Sequence, residues 1–149
     1  MYEDKDCIIF EAEKDRVEDH PLEIGDEPGS LHHGPVHKEL IHQIMLHEDE
    51  DTGMSVSLVR YTKGEPSAVH RHTCGKGEYV LRGTLHTEHG DFGPGTLIWW
   101  KPGSLMFHGA TMQEDCDVLL ITDRPFDIEY MGRMVAPDEV FDPKEEFLR

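Results

Sequence analysis

The strongest constraint on the fold is residues 64–108, where short apolar runs alternate with turns rich in Gly and Pro. EYVLRG, TLIWWK and LMFHGAT have the length of strands, and DFGPG and PGS lie between them. β-Branched and aromatic residues favour strands, whereas Gly and Pro interrupt them. Short strands at this spacing predict an antiparallel sandwich or barrel.

The same stretch contains histidines that suit a metal site. His70 and His72 are one residue apart, so on a strand both imidazoles project from the same side. Imidazole is the commonest metal ligand near neutral pH. His108 is distant in sequence, but a closed sheet can collect ligands from several strands in one cavity. Glu78, just beyond the pair, is a further candidate ligand.

The flanking segments extend this pattern. MSVSLVRY and DVLLIT are further predicted strands, TLHTEHG is the expected hairpin partner of EYVLRG, and VHKELIHQIML is ambiguous between helix and strand. Residues 1–35 are acidic and rich in Gly and Pro, which favours an arm, with an edge strand at residues 7–10. Asp142, Pro143 and Glu145 match the start of a short terminal helical turn. We therefore predict an arm at 1–35, a barrel at 36–131 and a tail at 132–149.

The overall composition excludes several partner classes. A chain of 149 residues suits a single domain. Its 31 acidic residues against 14 Lys and Arg, a formal net charge of -17, disfavour nucleic acid and anionic membranes as partners. No signal peptide or membrane span is recognisable, so a soluble cytoplasmic protein is expected. Cys7, Cys74 and Cys116 have no CxxC spacing and are predicted to be free thiols.

The order of glycines, prolines and histidines resembles the two paired motifs of the cupin superfamily. HTEHGDFGPGTLIWWKPGS is similar to the zinc-binding cupin domain of cupin-type anti-sigma factors. HRHTCGKGEYVLRG and FHGAT resemble the acetylacetone-cleaving dioxygenase, a non-haem iron enzyme whose metal is held by three histidines. The resemblance implies an all-β double-stranded β-helix, or jelly-roll barrel, with the metal inside. The residues that carry it are Gly64, His70, His72, Gly83, Gly95, Pro102, Gly103 and His108.

Two positions depart from the superfamily pattern. The motif glutamate normally falls four residues after the second histidine, where this chain has Lys76, and Glu78 follows two residues later. The second-motif histidine normally falls at Met106, and His108 follows two residues later. A displacement by two preserves side-chain direction on a strand, so His108 can still bind the metal. Glu78 is either a ligand or an inward acid bonded to Lys76 or Arg82.

The ligand set decides which function the resemblance implies. With Glu78 off the metal, three neutral imidazoles would leave an Fe(II) ion with its full charge, which attracts an anionic enolate. We then expect an Fe(II) dioxygenase that cleaves a carbon–carbon bond of a small β-dicarbonyl or related enolisable compound, with Glu78 and Glu88 as candidate catalytic acids. The expected partners are the small-molecule substrate, dioxygen and a second copy in a homodimer. With Glu78 bound, the site is closer to zinc or manganese centres, and nickel is a further alternative.

Two rival functions stay open on the sequence. A non-catalytic zinc-binding cupin would act as a ligand or stress sensor, although the arm lacks the Cys/His-bearing helical domain that grips a sigma factor. A sugar-modifying or isomerising zinc cupin would need basic groups for phosphate, which are scarce near this site.

Other candidates have simpler interpretations. The histidines at 32, 33, 37, 42 and 47 fit no metal geometry and are expected in solvent or at an interface. His86, Glu88 and His89 are expected at the surface or in a hairpin. Alternatively, Glu88 orients a ligand imidazole or the substrate. Trp99 and Trp100 must face opposite ways, one into the core and the other towards the pocket or an interface.

Overall fold

The computed structural model describes residues 2–3, 8–9 and 41–147 of the chain. These residues form twelve strands and one short helix, which confirms the predicted all-β fold. Most of the predicted arm lies outside the described residues, apart from two paired dipeptides at its start. The elements are β1 Tyr2–Glu3, β2 Ile8–Ile9, β3 Ile41–Glu48, β4 Ser55–Tyr61, β5 Ser67–Arg71, β6 Lys76–Arg82, β7 Leu85–Thr87, β8 Gly90–Phe92, β9 Leu97–Trp100, β10 His108–Gly109, β11 Cys116–Thr122, β12 Glu129–Val135 and α1 Pro143–Phe147.

The largest sheet has five antiparallel strands in the order β3, β4, β11, β6 and β9. Strands β4 and β11 alternate strictly between buried and partly exposed residues, as strands with one face on a core should. The ambiguous segment before them is a strand, β3, because it completes this sheet beside β4. The main core below the sheet includes Val59, Tyr61, Val80, Trp100, Met106 and Val118.

Smaller antiparallel sheets close the other side of the fold. Strand β5 pairs with β12, and β7 lies between β10 and β8. An isolated bridge between His70 and Met106 connects these two small sheets. A second core of Val69, Phe107 and Val135 lies beneath them. Together these sheets form a jelly-roll barrel.

The predicted hairpin between EYVLRG and TLHTEHG is wrong. Strand β6 pairs with β11 and β9, whereas β7 pairs with β8 and β10, so part of the predicted DFGPG turn belongs to β8. Gly83 separates the two strands at a φ of 78°, and a Cβ there would lie 2.1 Å from the Asp115 carbonyl oxygen. This left-handed turn directs the chain out of the large sheet, a conformation that glycine adopts without strain.

The C-terminal region joins the barrel more closely than the predicted division suggests. Strand β12 extends from Glu129 to Val135 and so crosses the predicted boundary at residue 131. The helical turn is present as α1, and the Lys144 backbone N–H donates to the Asp142 carboxylate at 3.0 Å. This is the predicted N-cap contact. Among the described residues, no helix is long and apolar enough to cross a membrane.

Candidate metal centre

Three histidines that the sequence offers as metal ligands, His70, His72 and His108, come together inside the barrel. His70 is near the end of β5, and His72 follows it by two residues, so both rings project inward. Paired backbone hydrogen bonds of 2.9 Å between His70 and Met106 bring the chain before β10 alongside β5. His108 therefore lies beside the pair, and the ligating atoms of the three imidazoles are all within 4.8 Å of one another.

The hydrogen bonds of His70 and His72 orient their rings for metal binding. His70 Nδ1 donates to the Ala68 carbonyl at 2.7 Å, and His72 Nδ1 donates to the Asp127 carbonyl. A carbonyl only accepts, so each Nδ1 carries the proton and each Nε2 has a lone pair. Metal-binding histidines usually donate their second N–H in this way. The donor set therefore fits a divalent ion.

The electrostatics of the cavity favour the neutral forms of His70 and His108. Burial lowers the pKa of His70 well below its ordinary value, and the nearby His72 and Lys76 lower it further. Burial has the same effect on the pKa of His108, with Lys76 as the next cause. Neutral imidazole is the form that binds metals. Protons therefore compete weakly for this site near neutral pH.

Glu78 lies in the cavity but outside the convergent ligand set. Its side chain is fully buried, and Oε1 accepts a hydrogen bond from the Tyr61 hydroxyl. The same oxygen is 3.5 Å from Lys76 Nζ and 3.4 Å from His108 Nδ1. Among the described residues, no hydrogen-bond donor reaches Oε2. This arrangement matches the predicted alternative of an inward acid paired with Lys76.

Tyr61 completes the environment of Glu78. Burial raises the pKa of the Tyr61 hydroxyl well above its usual value, and the charge of Glu78 raises it further. The hydroxyl therefore stays protonated and donates to the carboxylate. Tyr61 has no local sequence signal, since it reaches the cavity from the end of β4.

Lys76 has a larger place in the cavity than the sequence suggests, where it is only a possible partner of Glu78. Its side chain is 1% exposed, and Nζ donates to His108 Nε2 at 2.5 Å. The ammonium also lies 5.3 Å from the centre of the Trp100 ring. Burial lowers the pKa of Lys76, and the carboxylate of Glu78 opposes that shift. A cation thus occupies the sequence position where the superfamily motif has a glutamate.

Glu88 supports a wall of the cavity. Its Oε1 accepts from the Trp100 indole N–H at 2.5 Å, and its Oε2 accepts from the Phe107 backbone N–H at 3.4 Å. Burial raises the pKa of Glu88. The Trp100 ring that it holds lies 5.6 Å from the His108 ring. Glu88 therefore acts on the cavity through Trp100.

The adjacent tryptophans face opposite ways, as predicted. Trp100 is 3% exposed and belongs to the main core, whereas Trp99 is 45% exposed. Met106 packs in the main core with Trp100, and Phe107 packs in the second core. Consecutive residues of an extended chain point in opposite directions, so these two side chains belong to different cores.

The other described histidines do not belong to the convergent group. His86 is buried, with Nδ1 2.5 Å from the Asp91 carboxylate and Nε2 donating to the Glu139 carbonyl at 2.8 Å. His89 is exposed. His42 and His47 belong to β3, and positions 32, 33 and 37 lie outside the described residues.

A second group of possible ligands adjoins His72. His72, Cys74 and Asp127 also have ligating atoms within 4.8 Å of one another. The Asp127 carboxylate, however, accepts from the Thr73 N–H and hydroxyl, each at 2.7 Å. Burial raises the pKa of Cys74, which is a free, buried thiol. A protonated thiol is a poor metal ligand, so the three histidines are the favoured site.

Comparisons with known proteins agree with this architecture. Residues 26–127 match the family model described as the ChrR cupin-like domain. An RmlC-like cupin protein of Ralstonia eutropha aligns with a TM-score of 0.57 at 13% identity, covering 67% of this chain and 69% of its own. A cupin-like protein of Thermotoga maritima aligns with a TM-score of 0.56 at 24% identity, covering 62% and 76%.

A solved enzyme shares the fold at greater distance. Salicylate 1,2-dioxygenase of Pseudoaminobacter salicylatoxidans, in complex with gentisate, aligns with a TM-score of 0.53 at 12% identity. The alignment covers 64% of this chain and 30% of the dioxygenase. At these identities the likeness concerns the fold alone. The comparison with curated proteins gives no match.

Proposed function

This chain belongs to the ChrR cupin-like domain family, and from that membership and the geometry of the cavity we propose that it is a mononuclear non-haem Fe(II) dioxygenase. Its substrate is a small β-dicarbonyl or related enolisable compound, in which it cleaves a carbon–carbon bond. The observation that supports this proposal is the convergence of three imidazoles, while the buried carboxylate of Glu78 lies outside this group and accepts from Tyr61.

The donor set suits an anionic, chelating substrate. When bound, an Fe(II) ion supplies Lewis acidity and the electrons that activate dioxygen. Neutral histidines do not offset its double charge, so the cavity favours an enolate over the neutral diketone. Zinc, manganese and nickel also accept imidazole ligands, so the identity of the metal as iron is itself part of the proposal.

Glu78 is suited to remove the proton that forms the enolate. Its Oε2 is buried in the cavity and receives no hydrogen bond from the described residues, so it can accept a proton from the carbon between two carbonyls. The Tyr61 hydroxyl holds the other oxygen in place. Trp100 and Met106 form apolar walls that exclude water from the site. A homodimer and a cytoplasmic location remain predictions.

Metal analysis and oxygen uptake test this function together. Protein purified without added metal should contain iron, and a panel of β-diketones should elicit dioxygen consumption equal to substrate loss, since both oxygen atoms enter the two fragments. His108→Ala should lose both iron and turnover. His89→Ala is a matched control, because His89 is exposed and outside the convergent set. Iron-loaded protein without uptake on any substrate would contradict the proposal.

A non-catalytic zinc sensor is the second candidate, favoured by the family match. ChrR, which names the family, is an anti-sigma factor seen in complex with SigE of Rhodobacter sphaeroides. This reading predicts tightly held zinc and no oxygen uptake. Lys76 argues against it, since a cation replaces the carboxylate that the superfamily motif places there.

A further inference from the structure

Lys76 extends into the metal cavity and contacts a candidate ligand. Its Nζ is 2.5 Å from His108 Nε2 and 3.5 Å from Glu78 Oε1, and the Trp100 ring lies beside it. Lysine is rarely fully buried unless it is paired. An ammonium has three N–H donors, and these two contacts account for two of them. The third is available to a further acceptor in the cavity.

Metal binding changes the partners of this ammonium. His108 Nε2 has one lone pair, so it cannot accept from Lys76 and bind a metal at the same time. A metal on His108 Nε2 would therefore leave Lys76 with Glu78 as its remaining partner. The N–H that donates to His108 Nε2 would then have no acceptor, at a position next to the convergent histidines. A buried N–H without an acceptor is costly, so the loaded cavity requires a new one.

We propose that Lys76 binds the carboxylate of an anionic substrate next to the metal. The proposal rests on the metal-dependent function above and narrows its substrates to small enolisable acids, such as 3-oxo carboxylic acids. An ammonium donating to a carboxylate forms a charge-assisted hydrogen bond, among the stronger kinds in proteins. A neutral diketone offers no such group once its two oxygens bind the metal.

The charges of the cavity support a doubly charged ligand. The three imidazoles carry no negative charge, so a divalent ion bound to them would be uncompensated. Once Glu78 has accepted the proton that forms the enolate, the charge of Lys76, 3.5 Å away, would be uncompensated as well. Glu88 accepts from the Trp100 and Phe107 N–H groups. An enolate that also has a carboxylate would offset two of these positive charges, whereas a simple diketone enolate would offset one.

Calorimetry on Co(II)-loaded protein without dioxygen tests this inference on binding alone. Acetoacetate, a 3-oxo acid, should bind more tightly than acetylacetone. Lys76→Met should weaken acetoacetate binding by about 10- to 100-fold, or about 1.4–2.8 kcal/mol at 1.4 kcal/mol per tenfold. Acetylacetone binding should change by less than about threefold. Lys76→Arg, which keeps the charge, should retain most of the preference for acetoacetate.

A second readout concerns the metal itself. Because Lys76 occupies the His108 lone pair in the metal-free protein, Lys76→Met should raise the affinity of the apoprotein for Co(II). If the Lys76→Met variant does not fold, the double variant Lys76→Met with Glu78→Gln is used in its place, because it removes both buried charges together. Equal loss of both ligands, or no loss of acetoacetate binding, would overturn the inference. Failure of oxygen uptake in the iron form would instead overturn the dioxygenase and leave the anion preference intact.

Discussion

The buried pair of Lys76 and Glu78 should contribute strongly to the stability of the metal-free protein. Both side chains are excluded from solvent, at 1% and 0% exposure, and Nζ is 3.5 Å from Oε1. Removal of either partner leaves the other as an uncompensated buried charge. Glu78→Gln keeps the shape of the side chain and removes its charge, so it isolates this effect.

The distance between Lys76 Nζ and Glu78 Oε1 sets the expected loss of stability. At an effective dielectric constant of about 20, unit charges 3.5 Å apart attract by about 5 kcal/mol. Breaking one partner of a buried pair costs about 3–5 kcal/mol, and the glutamine oxygen recovers part of that through Tyr61 and Lys76. We expect Glu78→Gln to lower the free energy of unfolding by about 3 kcal/mol. Lys76→Met should cost a similar amount.

A double-mutant cycle in urea, followed by tryptophan fluorescence, measures the coupling between the two residues. The double variant should be more stable than the sum of the single losses predicts, by about 2 kcal/mol or more. Arg71 and Glu129 form a matched exposed pair, at 41% and 50% exposure, whose coupling should stay below about 1 kcal/mol. A coupling energy of Lys76 and Glu78 no larger than that of Arg71 and Glu129 would refute a stabilising role for the buried pair.

Three further predictions concern other parts of the structure. The pKa values of His70 and His108 are lowered in the folded state, so below about pH 6.5 the unfolded chain binds protons that the folded chain does not. The unfolding free energy of the metal-free protein should therefore fall with decreasing pH, by up to about 1.4 kcal/mol per unit for each histidine, and His70→Asn with His108→Asn should flatten that slope. Cys74 and Cys116 are buried with raised thiol pKa values, so a Cys7→Ser variant should react with thiol reagents only after denaturation, and fast labelling of the native form would contradict this. Trp100→Phe removes the indole donor to Glu88 and should cost about 1–3 kcal/mol of stability. Trp99→Phe, at an exposed position, should cost less than about 1 kcal/mol, and equal losses for the two would disprove the role of the Glu88 contact.

Local patterns predict the β5 part of the centre from the sequence. Period-two alternation places His70 and His72 on one side of a strand, and the structure has both rings inward. The same rule applies to β6, because Lys76 and Glu78 are two residues apart and share the inward face. An inward Glu78 therefore implied an inward Lys76, and that implication was the missed signal.

The contacts missed from the sequence depend on strand pairing. Tyr61 reaches Glu78 because β4 and β6 both pair with β11, a relation that no local pattern reveals. The hairpin error at Gly83 has the same origin, since a turn shows that a strand ends but not which sheet the next one joins. Glu88 reaches Trp100 because β7, β8 and β10 form a separate sheet opposite β9.

The convergence of three imidazoles on one divalent ion is tested most directly by metal titration and X-ray absorption of the wild-type protein and single histidine variants. We expect one ion per chain, a coordination shell with three imidazole nitrogens, and loss of stoichiometric binding in each of His70→Ala, His72→Ala and His108→Ala. Full metal binding by His108→Ala, or a shell containing the Cys74 sulfur, would contradict it.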